Sequence, residues 1–186
     1  MQLSIYKKIA KDYSARAKAR RENINQANLA LSLSKRSIFA QHRDDLKTAE
    51  KLLKDVLDHL KNCEKSFKKF PELAYEGSYL AALEEYAEAQ LFINYLKKKT
   101  VVSIDYRCMR PQTYLGGLSD MTGEISRYAI RQATQGNYEE VKKATKTVEE
   151  VISFLYQLDL TGYLRTKFDQ AKKNLRHLEQ MNYEIN

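Results

Sequence analysis

Two pairs of carboxylates in this sequence are spaced as a helix would present them together. Glu85 and Glu88, in Leu83-Glu84-Glu85-Tyr86-Ala87-Glu88-Ala89-Gln90, stand at i and i+3, a spacing that puts both side chains on one helical face. Asp120 and Glu124, in Ser119-Asp120-Met121-Thr122-Gly123-Glu124, stand at i and i+4, and Arg127 and Arg131 continue the same stripe. If the two helices pack side by side, four carboxylates converge. Hard oxygen donors at that density suit Mg2+ or Mn2+, which can activate a water for attack on a phosphodiester, and the arginines would then meet phosphate. Spacing alone leaves a second reading open, in which both pairs are solvated on exposed helix faces.

Other chemistries find no footing. A ferritin-like di-iron bundle needs Glu-x-x-His pairs, and His42, His59 and His177 have no Glu three residues before them. Gly116-Gly117 and Gly123 lack the Lys-Ser/Thr that completes a phosphate loop, and there is no GxSxG or catalytic Cys/His pattern. Cys63 and Cys108 are isolated, which fits a reducing compartment and a cytoplasmic address better than a disulfide or zinc scaffold. The first ten residues contain no signal-peptide-like apolar run, and no stretch of about 18 apolar residues marks a membrane span.

The elements that must carry the acids are helical. Leu46, Ala49, Leu53, Val56, Leu60, Cys63, Phe67 and Phe70 recur in steps of three and four, predicting a helix that stops at Phe70-Pro71, with the next one starting near Pro71. The same stepping in Tyr138, Val141, Thr145, Val148, Ile152 and Leu155, and in Leu164, Phe168, Ala171, Leu175 and Leu178, predicts two more, opened by Gly136-Asn137 and Thr161-Gly162. A weaker stripe through Ile5, Ile9, Tyr13, Ala17, Ile24, Ala27 and Leu31 reads as a long first helix reaching about Ala40. Val101 to Gln112, with β-branched residues and a proline, reads as a loop between the helix of Glu85 and that of Asp120. Two prolines, six glycines and 43% hydrophobic residues agree with an all-α domain spanning residues 1–186. Short loops imply antiparallel neighbours, and the abundance of apolar seams suggests a homo-oligomer as readily as a closed monomeric bundle.

The net charge of +8 is unevenly placed: residues 1–70 hold 17 Lys and Arg against 8 Asp and Glu, and the rest hold 15 against 16. A basic segment on a nearly neutral body suits a polyanionic partner as well as it suits a plain solvated face. The 13 tyrosines fall mostly on apolar seams and read as core, with Tyr86 and Tyr128, beside the acids, as the two that could stack on bases. His42 reads as a hydrogen-bonded structural residue.

Three segments, in order, resemble the translin family, and within it the translin-associated factor X branch. They are Ser34-Lys35-Arg36-Ser37-Ile38-Phe39 with His42-Arg43; Glu85-Tyr86-Ala87-Glu88-Ala89; and Tyr114-Leu115-Gly116-Gly117-Leu118-Ser119-Asp120-Met121-Thr122-Gly123-Glu124 with Arg127. The third is the most specific, because glycines inside a helix cost about 1 kcal/mol each relative to alanine and need a reason such as close packing or metal access. The likeness covers most of the chain and is weak in the first 30 residues. The chain is shorter than the eukaryotic catalytic members and lacks their extended N-terminal tail, which points to a compact prokaryotic-type member.

The resemblance implies a bundle of about six to seven long helices assembling into a hollow homo-oligomeric barrel of about six to eight subunits, with nucleic acid inside and a second translin-like chain as a possible partner. It implies Mg2+-dependent endonucleolytic cleavage of single-stranded RNA. Glu85, Glu88 and Asp120 would hold the metal, and Glu124 would be a fourth ligand or orient the attacking water. Lys35, Arg36 and Arg43 match the family's basic segment and would guide the RNA backbone, unless they pair with Asp44, Asp45 or the acidic cluster itself. The other branch of the family implies the alternative, a non-catalytic scaffold for single-stranded RNA and DNA.

Overall fold

The computed structural model describes residues 2–97, 104 and 106–185, and among them all regular structure is helical. Six long helices follow in order: α1 (Gln2–His42), α2 (Leu46–Glu64), α3 (Gly77–Leu96), α4 (Pro111–Thr134), α5 (Tyr138–Tyr156) and α6 (Gly162–Ile185), with a short 3-10 helix, Pro71–Tyr75, before α3. The α1/α2 hairpin packs on α3, α3 packs on α4, and the α5/α6 hairpin packs on α4, so α3 and α4 are the central pair. One continuous apolar cluster runs through all six, from Ala27 and Ile38 on α1 through Leu83 and Phe92 on α3 and Leu118 and Ile125 on α4 to Phe168 and Leu178 on α6.

Local chemistry sets the boundaries. After α1 the chain turns through Asp44 at φ 62, and Asp45 caps α2 by accepting the Thr48 N–H at 3.1 Å. At the far end of α4, Gly136 at φ 79 supplies the left-handed residue of a helix stop, and the Asn137 N–H reaches back to the Gln132 carbonyl at 2.9 Å. Proline opens α4 at Pro111 and the 3-10 helix at Pro71, where a missing N–H costs nothing.

Four expectations need correction. The second helix ends at Glu64 and not at Phe70: Ser66 Oγ donates to the Cys63 carbonyl at 2.9 Å, and tight turns carry the chain to Pro71. Phe67 still packs edge-on against Tyr79, 5.0 Å between centroids, which is why it continued the apolar stripe. Pro71 opens only the 3-10 helix, and α3 begins at Gly77. The expected loop from Val101 to Gln112 is cut short by α4, which includes Pro111 and Gln112, while 101–103 and 105 lie outside the described residues. The tyrosines are not mostly core. Tyr6, Tyr13, Tyr75, Tyr138, Tyr156, Tyr163 and Tyr183, seven of the 13, are exposed, because a phenol tolerates a wet seam edge and because the first part of α1 runs past the body.

That first helix is 41 residues, about 60 Å, long. Arg16 and Arg20 tie it to Glu72 and Glu76 at 2.8 and 2.7 Å, and before them Leu3, Ile5, Ile9 and Tyr13 are exposed. Its last third is buried by small polar residues: the Ser37 hydroxyl donates to the Ala49 carbonyl of α2, and Gln41 Nε2 to the Ala89 carbonyl of α3, both at 3.0 Å. No described helix is long and apolar enough to cross a membrane.

The α3/α4 crossing is closest at Gly117. A Cβ added there would lie 2.7 Å from the Ala87 Cβ and the Glu84 carbonyl oxygen and 2.8 Å from the Glu88 nitrogen, so the two backbones are nearly in contact. This is the packing reason for a helical glycine. Gly117→Ala should therefore lower stability by roughly 1–3 kcal/mol, a fall of several degrees in the thermal midpoint, because backbone cannot move aside. Gly77→Ala, with nothing within 4 Å, should leave the midpoint unchanged or raise it. Equal midpoints for the two variants in a calorimetric scan would disprove the close approach.

Candidate functional site

Because α3 and α4 touch through Gly117, the acids on either side of it share one space. Glu84, Glu85 and Glu88 on α3 and Asp120 and Glu124 on α4 are all half-buried. The Glu88 carboxyl is pushed up to about 9 by burial and then by the charges of Glu85, Asp120 and Glu124, with Lys167 opposing. Glu85 and Asp120 are raised too, mainly by burial, against the pull of Lys35 on Glu85 and of Lys167 on Asp120. The four sequence-predicted acids thus lie close enough that Glu85, Asp120 and Glu124 all act on Glu88.

Each neighbour of Glu88 has found a cation or donor. Lys35 Nζ of α1 stands 4.0 Å from Glu85 Oε2. His42 Nε2, at the end of α1, pairs with the Glu124 carboxylate, its ring packed 4.9 Å from that of Phe92, and Arg127 Nη1 lies 3.8 Å from the same carboxylate. His42 is 8% exposed, in keeping with a hydrogen-bonded structural residue. From α6, Lys167 Nζ pairs with Asp120 and sits 3.1 Å from Glu84 Oε1, which also accepts the Tyr163 hydroxyl at 2.5 Å. Burial works against the Lys167 ammonium, yet its hydrogen bonds and the Asp120 charge outweigh it and its pKa is raised. Among the described residues Glu88 is in no ion pair, and no group of three or more His, Cys, Asp or Glu side chains is arranged to hold a metal ion. Asp120 and Glu124 are turned toward Lys167 and His42.

The remaining predicted residues divide. Lys35, Arg36 and Arg43 are exposed along one side of α1, with the Arg43 guanidinium 5.4 Å from the Phe39 ring centroid. Arg127 is exposed beside Glu124. The Arg131 guanidinium donates to the His42 carbonyl and to Asp44 at 2.5 Å, locking the end of α1 onto α4. Tyr86 is 3% exposed against Tyr106 and offers no free ring face, while Tyr128 is half-buried, edge-on to Phe92 and Tyr95.

Sequence reading missed Glu84, Tyr163 and Lys167. Tyr163 and Lys167 stand at i and i+4 beside the apolar stripe of α6, the one available signal that a lysine there faces inward. Gly116 is the matching signal on α4, since a Cβ there would collide with the Glu84 carboxylate.

The folded chain holds a proton on Glu88 that the unfolded chain releases between pH 4.5 and about 9, so its contribution to stability worsens as pH rises through that window and vanishes below it. Glu88→Gln should raise stability at pH 8 by on the order of 2 kcal/mol and leave it nearly unchanged at pH 4. Denaturant titrations of both proteins at the two pH values check this, and a gain equal at both would refute the buried-charge origin.

Comparison with known proteins agrees with this architecture. The family model described as the translin family matches residues 18–186. No curated protein matches the chain. Among solved structures, apo-NeC3PO superposes with a TM-score of 0.87 at 24% identity, covering 97% of each chain. AfC3PO in complex with duplex RNA gives 0.86 at 23% identity, covering 100% of this chain and 96% of that one, and AfC3PO without it gives 0.85 at 24%, covering 100% and 97%. With the match running over nearly the whole chain and the same six-helix path recurring in those structures, the chain belongs to the translin family.

Proposed function

We propose that this protein binds single-stranded RNA and cleaves it endonucleolytically, in the manner of the catalytic, translin-associated factor X branch. Glu85, Glu88 and Asp120 would hold Mg2+ or Mn2+, with Glu124 as a fourth ligand or as the group that orients the attacking water. The observation that carries this reading is Glu88, raised to about 9 among three other acids and given no cation by the described chain. A carboxyl so placed weakens the fold, and a divalent cation offsets such repulsion better than a single ammonium does.

The donor set fits such an ion in kind, being all hard carboxylate oxygen. Two of the donors are on loan to Lys167 and His42, and exchange of those contacts frees them. What the ion supplies when bound is neutralisation of phosphate charge and a water of lowered pKa. The chain's own residues do the rest: His42 orients Glu124, Lys167 and Tyr163 steady Asp120 and Glu84, and Lys35, Arg36, Arg43 and Arg127 bind the RNA backbone. Arg131 joins them on leaving Asp44. The likeness of the fold to AfC3PO, solved with duplex RNA, supports an RNA ligand.

The exposed stripe of Leu3, Ile5, Ile9 and Tyr13 supports self-association into the hollow barrel, with RNA, and single-stranded DNA as a second ligand, inside. A second translin-like chain is the other way to cover it. One observation favours the non-catalytic scaffold reading: Asp120 is already paired with the Lys167 ammonium and Glu124 is held by the His42 ring, as a purely structural network would have them.

Cleavage of a labelled single-stranded RNA separates the two. With Mg2+ the native protein should cut it, EDTA should abolish cutting, and Glu88→Ala or Asp120→Ala should lower the rate about 100-fold or more while leaving RNA affinity and assembly size unchanged. RNA that is bound yet stays intact with Mg2+ and with Mn2+ would select the scaffold.

A further inference from the structure

Phe39 is 57% exposed on α1, whereas its apolar neighbour Ile38 is buried. Its helical neighbours at i−4, i−3, i+3 and i+4 are Lys35, Arg36, His42 and Arg43, the four that adjoin it on the surface of α1. Two of these reach the acids: Lys35 stands 4.0 Å from Glu85, and His42 pairs with Glu124. The other two are exposed cations, and the Arg43 guanidinium lies over the Phe39 ring, 5.4 Å from its centroid. The ring therefore lies at the border between the carboxylate cluster and a strip of free positive charge.

We propose that Phe39 is a stacking platform for one unpaired nucleobase next to the phosphate presented to the acids, an inference that rests on the RNA-binding reading above. An aromatic ring left in water gains little from its place, whereas a base laid on it removes apolar surface from both partners, and every base has a face to offer. Arg36 and Arg43 on one side and Lys35 on the other are set to take the phosphates that flank that base. A paired base inside a duplex has both faces already stacked and cannot use the platform. Phe39 thus positions a single strand over the acids and selects it over a duplex, without reading its sequence. The cations around the ring favour this occupant over a second copy of the chain, whose matching surface would bring the same positive charges together.

The chain contains no tryptophan, so Phe39→Trp introduces a fluorophore reporting on this position alone. Full-length native protein, Phe39→Leu and Phe39→Trp are titrated at one salt concentration with a short single-stranded oligoribonucleotide, with the same oligonucleotide carrying abasic sites, and with a duplex. Phe39→Leu keeps apolar bulk and loses the aromatic face; it should bind the intact strand about tenfold more weakly than native protein and bind the abasic strand and the duplex equally well. Phe39→Trp should restore native affinity, and its fluorescence should fall on binding the intact strand and not the abasic one. Native binding of the strand with no loss in Phe39→Leu and no quenching in Phe39→Trp would overturn the platform while leaving RNA binding standing. A change in assembly size in Phe39→Leu by sedimentation, at unchanged affinity per site, would assign the ring to a subunit contact and overturn it too. Failure of the native protein to bind either RNA would remove the reading on which the platform rests.

Discussion

The near contact of two backbones at Gly117 is the constraint from which the rest of the site follows. Two helices that close bring the acids on their facing surfaces into one half-buried space, where charge repels more strongly than it would in water. Repulsion of this kind has to be offset by other parts of the chain, and here two lysines and a hydrogen-bonding imidazole arrive from both flanks. Lys35 and His42 come from α1, Lys167 from α6, each on a different carboxylate. The same contacts therefore fasten the first and last helices to the central pair, so charge compensation and packing reinforce each other.

This arrangement explains the composition of the segment Ser34 to Arg43, where two helical faces carry unrelated tasks. Ser34, Ser37 and Gln41 face inward with no exposure, and their short or hydrogen-bonded side chains let α1 lie close on α2 and α3. Lys35, Arg36, Phe39 and Arg43 face outward. Interleaving the two sets on a 3.6-residue period is what makes the segment look irregular in hydropathy while leaving every residue with a place.

Much of this was legible in the sequence. Three-four stepping located α2, α5 and α6, the spacing of the acids put each pair on one face, and helical glycines signalled a close approach. What remained hidden has physical causes. Period cannot tell which helices are neighbours, so Lys167, 47 residues from Asp120, had no reason to stand out. It cannot tell a buried stripe from one that only another molecule could cover, and the first part of α1 carries such a stripe into solvent. A serine that bonds back to the helix carbonyl three residues earlier ends α2 ahead of its apolar pattern, because the pattern records packing and Phe67 packs from a turn as well as from a helix.

Among the acids, Glu88 is the one whose presence discriminates between a structural and a chemical purpose. Glu85, Asp120 and Glu124 each have a partner that would justify them as members of an ion-pair network holding four helices together. Such a network would be more stable with glutamine or methionine in place of Glu88, since a carboxyl raised to about 9 opposes folding at neutral pH. Packing supplies no return for that opposition, because among the described residues no cation meets the group. On the proposed reading, a cation that neutralised several carboxylates at once would supply one, and it would gain affinity from relieving the repulsion at Glu88.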